Sequence, residues 1–205
     1  MRKTAAAKLP KPLRKPAYFP SEQVLTRTFP PELARQREFE EYHFIGFDFS
    51  QTNLSGWRFS ECLFENCNLA GANIGNTAFQ NVAFVGCKLL GLPFHACREM
   101  LFGVHFDQCQ LDYASFQGRV LPNTRFVGCT LQEADFTQAD LSKAVFQDCM
   151  LRRTVFRQTR LLGTDFTTAQ EVSLDPAQNE VKHARFALHS LPGLLAHFDL
   201  DIVSA

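Results

Sequence analysis

The sequence predicts an all-β solenoid whose chain winds in square coils, and two periodic features support this fold class. A large apolar residue recurs at every fifth position from Phe39 to Phe94 and, after a two-residue insertion, from Leu101 to Phe166, which makes 26 residues in all. From Phe106 onward the position two before each of them is small, apart from Arg119. Each five-residue unit is therefore expected to turn one large and one small side chain inward.

A five-residue period fits neither standard element. Five steps of about 100° smear an apolar stripe around a helix, and an odd period places successive residues on opposite faces of a strand. If the chain turns through about 90° at each unit, four units close one coil of twenty residues, and neighbouring coils bury their faces against each other. The alternation of Phe and Leu after residue 101 then places Phe on two opposite sides and Leu on the other two.

Length and charge suit one domain with appendages. Residues 1–15 contain six basic and no acidic side chains, whereas the body from Pro16 onward has 15 basic and 21 acidic residues, a net charge of −6. No apolar run approaches the roughly 18–20 residues of a membrane span, and no apolar segment of a secretory signal follows the basic N-terminus. We expect a cytoplasmic protein that has no membrane contact.

The sequence divides into four segments. A flexible basic, proline-rich arm is expected at 1–20, an N-terminal cap with a short helix near Pro31–Arg37 at 21–38, the repeats at 39–170, and a C-terminal cap with a dimerisation helix at 171–205. The phase shift predicts a bulge at 95–100, between Phe94 and Leu101. It is either a tolerated insertion or a partner contact that includes Arg98 and Glu99.

Seven cysteines occupy small inward positions: Cys62, Cys67, Cys87, Cys97, Cys109, Cys129 and Cys149. Stacked neighbours keep their Cβ atoms about 4.8 Å apart, wider than disulfides prefer, and no C-x-x-C occurs. We expect buried, reduced cysteines, no metal and no cofactor. A site at His95, Cys97 and His105 is the alternative. Because no Ser-His, Cys-His or paired-carboxylate spacing is convincing, we expect no catalytic residues and no enzymatic activity.

The C-terminus predicts a helix with an apolar face. Ser190 can cap it, Pro192 lies in its first turn, and Leu200–Val203 is typical of a terminal strand. The exposed apolar end of a solenoid requires a cover, and pairing two identical ends supplies one. We expect a two-fold homodimer, although a helix folded over its own last coil is the alternative. The expected interface consists of Leu191, Leu194, Leu195, Phe198, Ile202 and Val203.

Several units resemble the pentapeptide-repeat family, whose consensus is A(D/N)LXX. The closest matches are ADFTQ at 134–138 and ADLSK at 139–143, followed by Ala72-Asn73-Ile74. The resemblance covers about residues 39–170. It implies a right-handed quadrilateral β-helix of pentapeptide repeats with a short C-terminal helix.

Longer stretches resemble one group within that family. They are Phe84–Gly91, Glu133–Leu141, Lys182–Leu188, Leu194-Leu195 and Asp199–Ile202, and they are similar to the albicidin-resistance type. The group also includes the Qnr, MfpA and microcin-immunity proteins. The resemblance implies a binding protein that protects DNA gyrase or topoisomerase IV from a poison, with dimers formed through a C-terminal helix and partial DNA mimicry. A structural scaffold with an unrelated partner is the alternative.

The charges support mimicry weakly. Twenty-six units make roughly 31 Å of solenoid at the inter-strand spacing, and duplex DNA of that length carries about 18 negative charges. The body carries −6. We expect shape and a few specific contacts to matter more, and no direct binding of nucleic acid. The candidate partner-binding residues are Asp107, Asp112, Glu133, Asp135, Asp140, Asp148, Arg98 and Glu99.

Overall fold

The chain folds as a solenoid of parallel β-strands with one short C-terminal helix. The computed structural model describes residues 24–26, 36–198, 200, 201 and 203. The expected arm at 1–20, most of the expected cap at 21–38, most of the expected helix Pro31–Arg37, and Ile202 lie outside the described residues.

Two parallel sheets run along the solenoid. One has nine strands in spatial order: β1 (Val24–Thr26), β3 (His43–Ile45), β5 (Leu63–Glu65), β7 (Val82–Val85), β8 (Val104–Asp107), β9 (Arg125–Val127), β10 (Val145–Gln147), β11 (Asp165–Phe166) and β12 (Arg185–Phe186). The other has three: β2 (Glu38–Glu40), β4 (Arg58–Ser60) and β6 (Ala78–Gln80). Isolated bridges join the remaining sides of successive coils.

The inward side chains form four columns, one for each face of the coil. Face 1 holds Phe39, Phe59, Phe79, Leu121, Leu141 and Leu161; face 2 holds Phe44, Phe64, Phe84, Phe106, Phe126, Phe146, Phe166 and Phe186; face 3 holds Phe49, Leu69, Leu89, Leu111, Leu131 and Leu151; face 4 holds Leu54, Ile74, Phe94, Phe116, Phe136 and Phe156. After the insertion, Phe therefore lies on the opposite faces 2 and 4 and Leu on faces 1 and 3, as the alternation predicted. Of the 26 large residues predicted to point inward, only Leu101 is exposed.

Aromatic rings stack along face 2 and meet face 4 edge-on. The stacked centroids on face 2 lie between 4.7 and 5.5 Å apart from Phe44 to Phe186. Phe126 also meets Phe116 and Phe136 at 6.0 and 5.8 Å with nearly perpendicular rings. Offset stacks and edge-on contacts are the geometries that aromatic rings prefer, so the core is both apolar and directional.

A left-handed residue makes each regular corner. The second residue after the inward one has φ between 50° and 75° at most corners, whether or not it is glycine. This conformation costs about 1–2 kcal/mol for a residue with a Cβ. The corner amides offset that cost because they donate to the next coil, as Gln138 does to the carbonyl of Arg157. Inter-coil hydrogen bonding thus holds the 90° turns that the five-residue period required.

The solenoid continues beyond Phe166, where the five-residue pattern ends. Phe186 stacks on Phe166 at 5.2 Å, and β12 pairs with β11. The last coil departs from the pattern because Val172 and Leu174 fill the core while Glu171 is exposed. At the other end, β1 extends the large sheet into the segment predicted as a cap.

The C-terminal helical segment docks on this last coil. It consists of 3-10 turns at Leu188–Ser190 and Ala196–Phe198 around the helix α1 (Leu191–Leu195). Ser190 precedes the helix as predicted, but among the described residues its buried hydroxyl finds no capping partner. The described residues of the expected terminal strand, at 200, 201 and 203, are not in a strand.

Replacing Phe126 with Ala is expected to lower the free energy of unfolding by about 3–5 kcal/mol, since the fully buried ring contacts four other rings. Denaturant unfolding measures the change. The exposed Gln117→Ala, two units earlier in the chain, is the control and should stay within about 0.5 kcal/mol of the wild type. An equal loss in both variants would contradict the assignment of Phe126 to the core.

Candidate protein-interaction surface

The six acidic residues predicted to bind a partner lie on all four faces. Asp140 flanks the inward column of face 1, Asp107 and Asp148 that of face 2, Asp112 and Glu133 that of face 3, and Asp135 that of face 4. The structure therefore brings together only Asp112 and Glu133, at one corner. Their role in partner binding stays a prediction, but they do not form a single acidic stripe.

Most of these acids have structural partners. Asp135 and Asp140 each accept the backbone amide two residues further on, at 2.8 and 2.9 Å. Asp48 and Asp165 make the same bond elsewhere in the solenoid, so it explains the acidic or amide residue in the repeat consensus. Asp112 accepts the amide of Gln132 in the next coil at 2.8 Å.

Arginines of the following coil neutralise two of the acids. Glu133 lies 3.5 Å from Arg153, and Asp140 lies 3.8 Å from Arg160. Burial raises the pKa of the carboxyl group of Asp107. The acidic surface is thus less available for a partner than the sequence suggested.

The insertion lies three residues later than predicted. Phe94–Ala96 forms a 3-10 turn within the coil, and Cys97 is buried at its small inward position. The chain leaves the coil over residues 98–103, here called the loop, and the inter-coil register changes from 20 to 22 residues, as in the pair Val82 and Val104. The expected bulge at 95–100 is corrected accordingly.

Leu101 was predicted to face inward, and this was wrong. It is 71% exposed with φ 59°, beside Met100, which is 78% exposed. Phe102 packs against the core in its place and meets Phe94 edge-on at 6.4 Å. The five-residue period selected Leu101, which is in phase with the second run. The period carries no information on side-chain size, and the larger Phe102 fits the space better.

Arg98 and Glu99 lie at the beginning of the loop. The Nε of Arg98 donates to the backbone carbonyl and to the side-chain oxygen of Asn76, at 3.1 Å each, so it ties the loop to the preceding coil. Glu99 is exposed. Both side chains are accessible at the surface of face 1 beside the apolar tip formed by Met100 and Leu101.

Arg119, which broke the pattern of small residues, is buried beneath the loop. Only 4% of it is exposed. Its terminal Nη2 donates to the carbonyls of His95 and Cys97, and its guanidinium lies over the ring of Phe102, 5.1 Å from the centroid. One feature of the sequence marks Arg119: it is the single large residue at the small positions from Val104 to Thr164.

A second apolar surface lies at the C-terminal end. Of the predicted interface, Leu191, Leu195 and Phe198 are 42, 38 and 56% exposed, and Val203 is 87% exposed. Leu194 packs against the core instead.

Several contacts hold the helix on its own last coil. A Cβ on Gly193 would lie 1.9 Å from the carbonyl oxygen of Val172, so only glycine allows this approach. His197 contacts Asp175 at 2.9 Å. The helix therefore covers its own solenoid and still presents apolar side chains outward.

The seven cysteines are buried and free, as predicted. Cys67, Cys87, Cys109, Cys129 and Cys149 stack at one corner, and their thiols donate to backbone carbonyls as buried threonines do, for example Cys67 to Phe44 and Thr154 to Leu131. Burial raises the pKa of Cys62 and of Cys97 to about 12. Such thiols are protonated and inert at neutral pH.

Among the described residues, no group of three or more His, Cys, Asp and Glu side chains could hold a metal ion. The Nδ1 of His95 is hydrogen-bonded to the hydroxyl of Ser115 at 2.9 Å. His95, Cys97 and His105 do not form a ligand set among the described residues. In the same part of the chain, no helix is long and apolar enough to cross a membrane.

The coil geometry defines a class, the pentapeptide-repeat β-helix. Residues 57–136 match the family model described as the pentapeptide repeat region. The sequence has no significant match among curated proteins.

Solved structures share this fold. A trypsin-treated variant of QnrB1, a plasmid-mediated fluoroquinolone resistance protein, aligns with TM-score 0.59 and 16% identity over 89% of this chain and 99% of its own. A second trypsin-treated variant of QnrB1 aligns with TM-score 0.58 and 17% identity over 88% of this chain and 97% of its own. HetL from the cyanobacterium Nostoc, a pentapeptide-repeat protein involved in heterocyst differentiation regulation, aligns less closely, with TM-score 0.47 and 19% identity over 74% of this chain and 77% of its own.

The raised pKa values of Cys62 and Cys97 predict a loss of stability at alkaline pH. Each thiol stays protonated in the folded protein after it ionises in the unfolded chain, at about pH 8.5, so the free energy of unfolding falls as the pH rises from there towards 12. The slope is up to about 1.4 kcal/mol per pH unit for each thiol. Urea unfolding between pH 9 and 11 should show a shallower slope for the double variant Cys62→Ala, Cys97→Ala. Equal slopes of the free energy of unfolding against pH in the variant and the wild type would contradict the raised pKa values of Cys62 and Cys97.

Proposed function

We propose that this protein binds a type II topoisomerase, DNA gyrase or topoisomerase IV, in the cytoplasm and protects it from a poison without catalysing a reaction. The observation that supports this most is the alignment with QnrB1, a fluoroquinolone resistance protein, over 99% of that chain. The alignment covers the solenoid as a whole rather than a few coils. The resemblance of the C-terminal stretches to the albicidin-resistance type points to the same kind of partner.

The location of the exposed apolar groups supports a binding role. The core is filled by side chains along its length, so a partner must be recognised by the outer surface. Two apolar features stand out there: the loop tip on face 1, Met100 and Leu101, and the C-terminal end, Leu191, Leu195 and Phe198. Exposed apolar patches of this kind mark sites of protein interaction.

The charge distribution favours recognition by shape over close mimicry of DNA. The nine strands of the large sheet span roughly 38 Å at the inter-strand spacing, a length of duplex that carries about 23 negative charges. Residues 36–198 contain 17 acidic and 13 basic residues, a net charge of −4. The acids lie on four faces, and several are bonded to turns or paired with arginines. A few specific contacts must therefore carry the affinity.

A supercoiling assay with bacterial gyrase tests the function. With ciprofloxacin or albicidin present, adding the protein is expected to restore supercoiling in a concentration-dependent manner, and heat-unfolded protein at the same concentrations is the control. Comparison of the two poisons distinguishes the resistance types. Absence of both protection and inhibition over a wide concentration range would overturn the proposal and favour a scaffold with another partner.

We further propose that two copies pair through their C-terminal ends. Docking on the last coil partly buries Leu194 but leaves Leu191, Leu195 and Phe198 exposed, and a symmetric contact would cover all of them at once. Pairing of identical ends closes after two copies and doubles the length of the rod.

Light scattering is expected to give about twice the chain mass of 23.2 kDa. The double variant Leu195→Asp, Phe198→Asp should be monomeric because it places charges in the apolar contact. The control is Tyr113→Asp, which changes an exposed residue on the side of the solenoid and should leave the dimer intact. A dimer that survives Leu195→Asp, Phe198→Asp would place the interface elsewhere.

A further inference from the structure

A cavity of about 450 Å³ lies where the last coils meet the C-terminal helical segment. Cavities that hold small ligands in proteins have volumes of about 300–1,000 Å³. Both parts of the fold contribute to its wall, so a molecule bound there would touch the solenoid and the helical segment together. The wall consists of Arg152, Arg153 and residues 171–173 from the coils, and of His189, Ser190 and Gly193 from the helical segment.

The charged side chains of this wall leave an excess of positive charge. The Nε of Arg152 lies 3.9 Å from the carboxylate of Glu171, and the Nη1 of Arg153 lies 3.5 Å from that of Glu133. Of these two acids, Glu171 lines the cavity and Glu133 does not. Each guanidinium group has five N–H donors, and contacts this long leave most of them available. The wall can therefore accept a further anion.

A buried hydroxyl without a partner lies in the same wall. Ser190 is 4% exposed, and among the described residues its Oγ has no hydrogen-bond partner. Ser173, which also lines the cavity, donates instead to the carbonyl of Gly193 at 3.2 Å. Buried polar groups are nearly always hydrogen-bonded, and one that is not marks a place where a polar ligand would be stabilised. The hydroxyl and the two guanidinium groups share one property, which is that they can donate.

We propose that this cavity binds the phosphate group of a small molecule. Guanidinium groups match pairs of phosphate oxygens, and a serine hydroxyl adds a third donor. The donors come from the coils and from the helical segment, an arrangement that suits the tetrahedral oxygens of a phosphate better than the two oxygens of a planar carboxylate. No Phe, Tyr or Trp belongs to the described wall, so the phosphate itself supplies the affinity. This binding is independent of the proposed topoisomerase partner.

Calorimetry in phosphate-free buffer tests the binding, with inorganic phosphate and ribose 5-phosphate as the probes. We expect one site per chain, and a melting temperature that rises with the concentration of the probe more than it does with sodium chloride of equal ionic strength. Tighter binding of inorganic phosphate would identify the free ion as the ligand, and tighter binding of ribose 5-phosphate would identify a phosphate ester. Binding of neither probe, or a rise that chloride reproduces, would overturn the site.

A pair of double variants tests which arginines bind. Arg152→Gln, Arg153→Gln should weaken phosphate binding at least tenfold, because it removes both guanidinium groups of the wall. Arg157→Gln, Arg160→Gln is the matched control, since it removes the same charge from exposed residues of the same coil that do not line the cavity. The control should stay within twofold of the wild type. Equal losses in the two variants would show attraction by net charge alone and overturn the site.

Ser190→Ala separates binding from a structural role. In phosphate-free buffer it should melt at the same temperature as the wild type or higher, because it removes an unpaired buried hydroxyl. Its affinity for phosphate should nevertheless fall about tenfold, the loss of one hydrogen bond to a charged group. Phosphate should also slow hydrogen exchange over residues 188–198 at least threefold in the wild type, and less in the variant. Unchanged affinity in Ser190→Ala would overturn the assignment of the phosphate to this cavity.

Discussion

The register of twenty residues between successive coils is the constraint on which the rest of the structure depends. It places backbone amides opposite carbonyls of the neighbouring coils and each Phe of face 2 over the Phe of the next coil. The corners and the inter-coil hydrogen bonds depend on each other. The left-handed corners are unfavourable without the inter-coil hydrogen bonds, and these bonds require coils of equal length. A residue added anywhere in a coil therefore affects both the ladder and the core.

The loop shows what a break in that register requires. Two extra residues move the following coil from a 20-residue to a 22-residue offset, and the carbonyls left behind are satisfied by a side chain rather than by the backbone. Phe102 fills the core where the periodic residue would have been. The irregularity is thus compensated by the buried Arg119 and the partly buried Phe102, and its apolar tip faces outward.

A core of this kind also determines where a function can lie. Stacked rings and small inward residues fill the axis of the solenoid, and its cysteine thiols donate to backbone carbonyls. The outer positions next to the inward residues serve the turns, which is why Asp135 and Asp140 bond to their own backbone. Among the described residues, the four most exposed large apolar side chains, Val203, Leu188, Met100 and Leu101, lie outside this repeating scheme, at the C-terminal end and at the loop.

The sequence by itself determined the solenoid, its four faces and the burial of the cysteines. A strict five-residue period fits neither a helix nor a strand but fits coils of four units, and each unit carries this period in its own five residues. It also singled out Arg119 as an exception to the pattern and Leu195 and Phe198 as apolar residues beyond the repeats. Only the tertiary structure decided that Phe102 rather than Leu101 packs against the core, that Val172 and Leu174 complete a further coil, and that the acids are spread over the four faces. These outcomes depend on which side chain fits a space bounded by residues twenty or more positions away, and a local period carries no information about that fit.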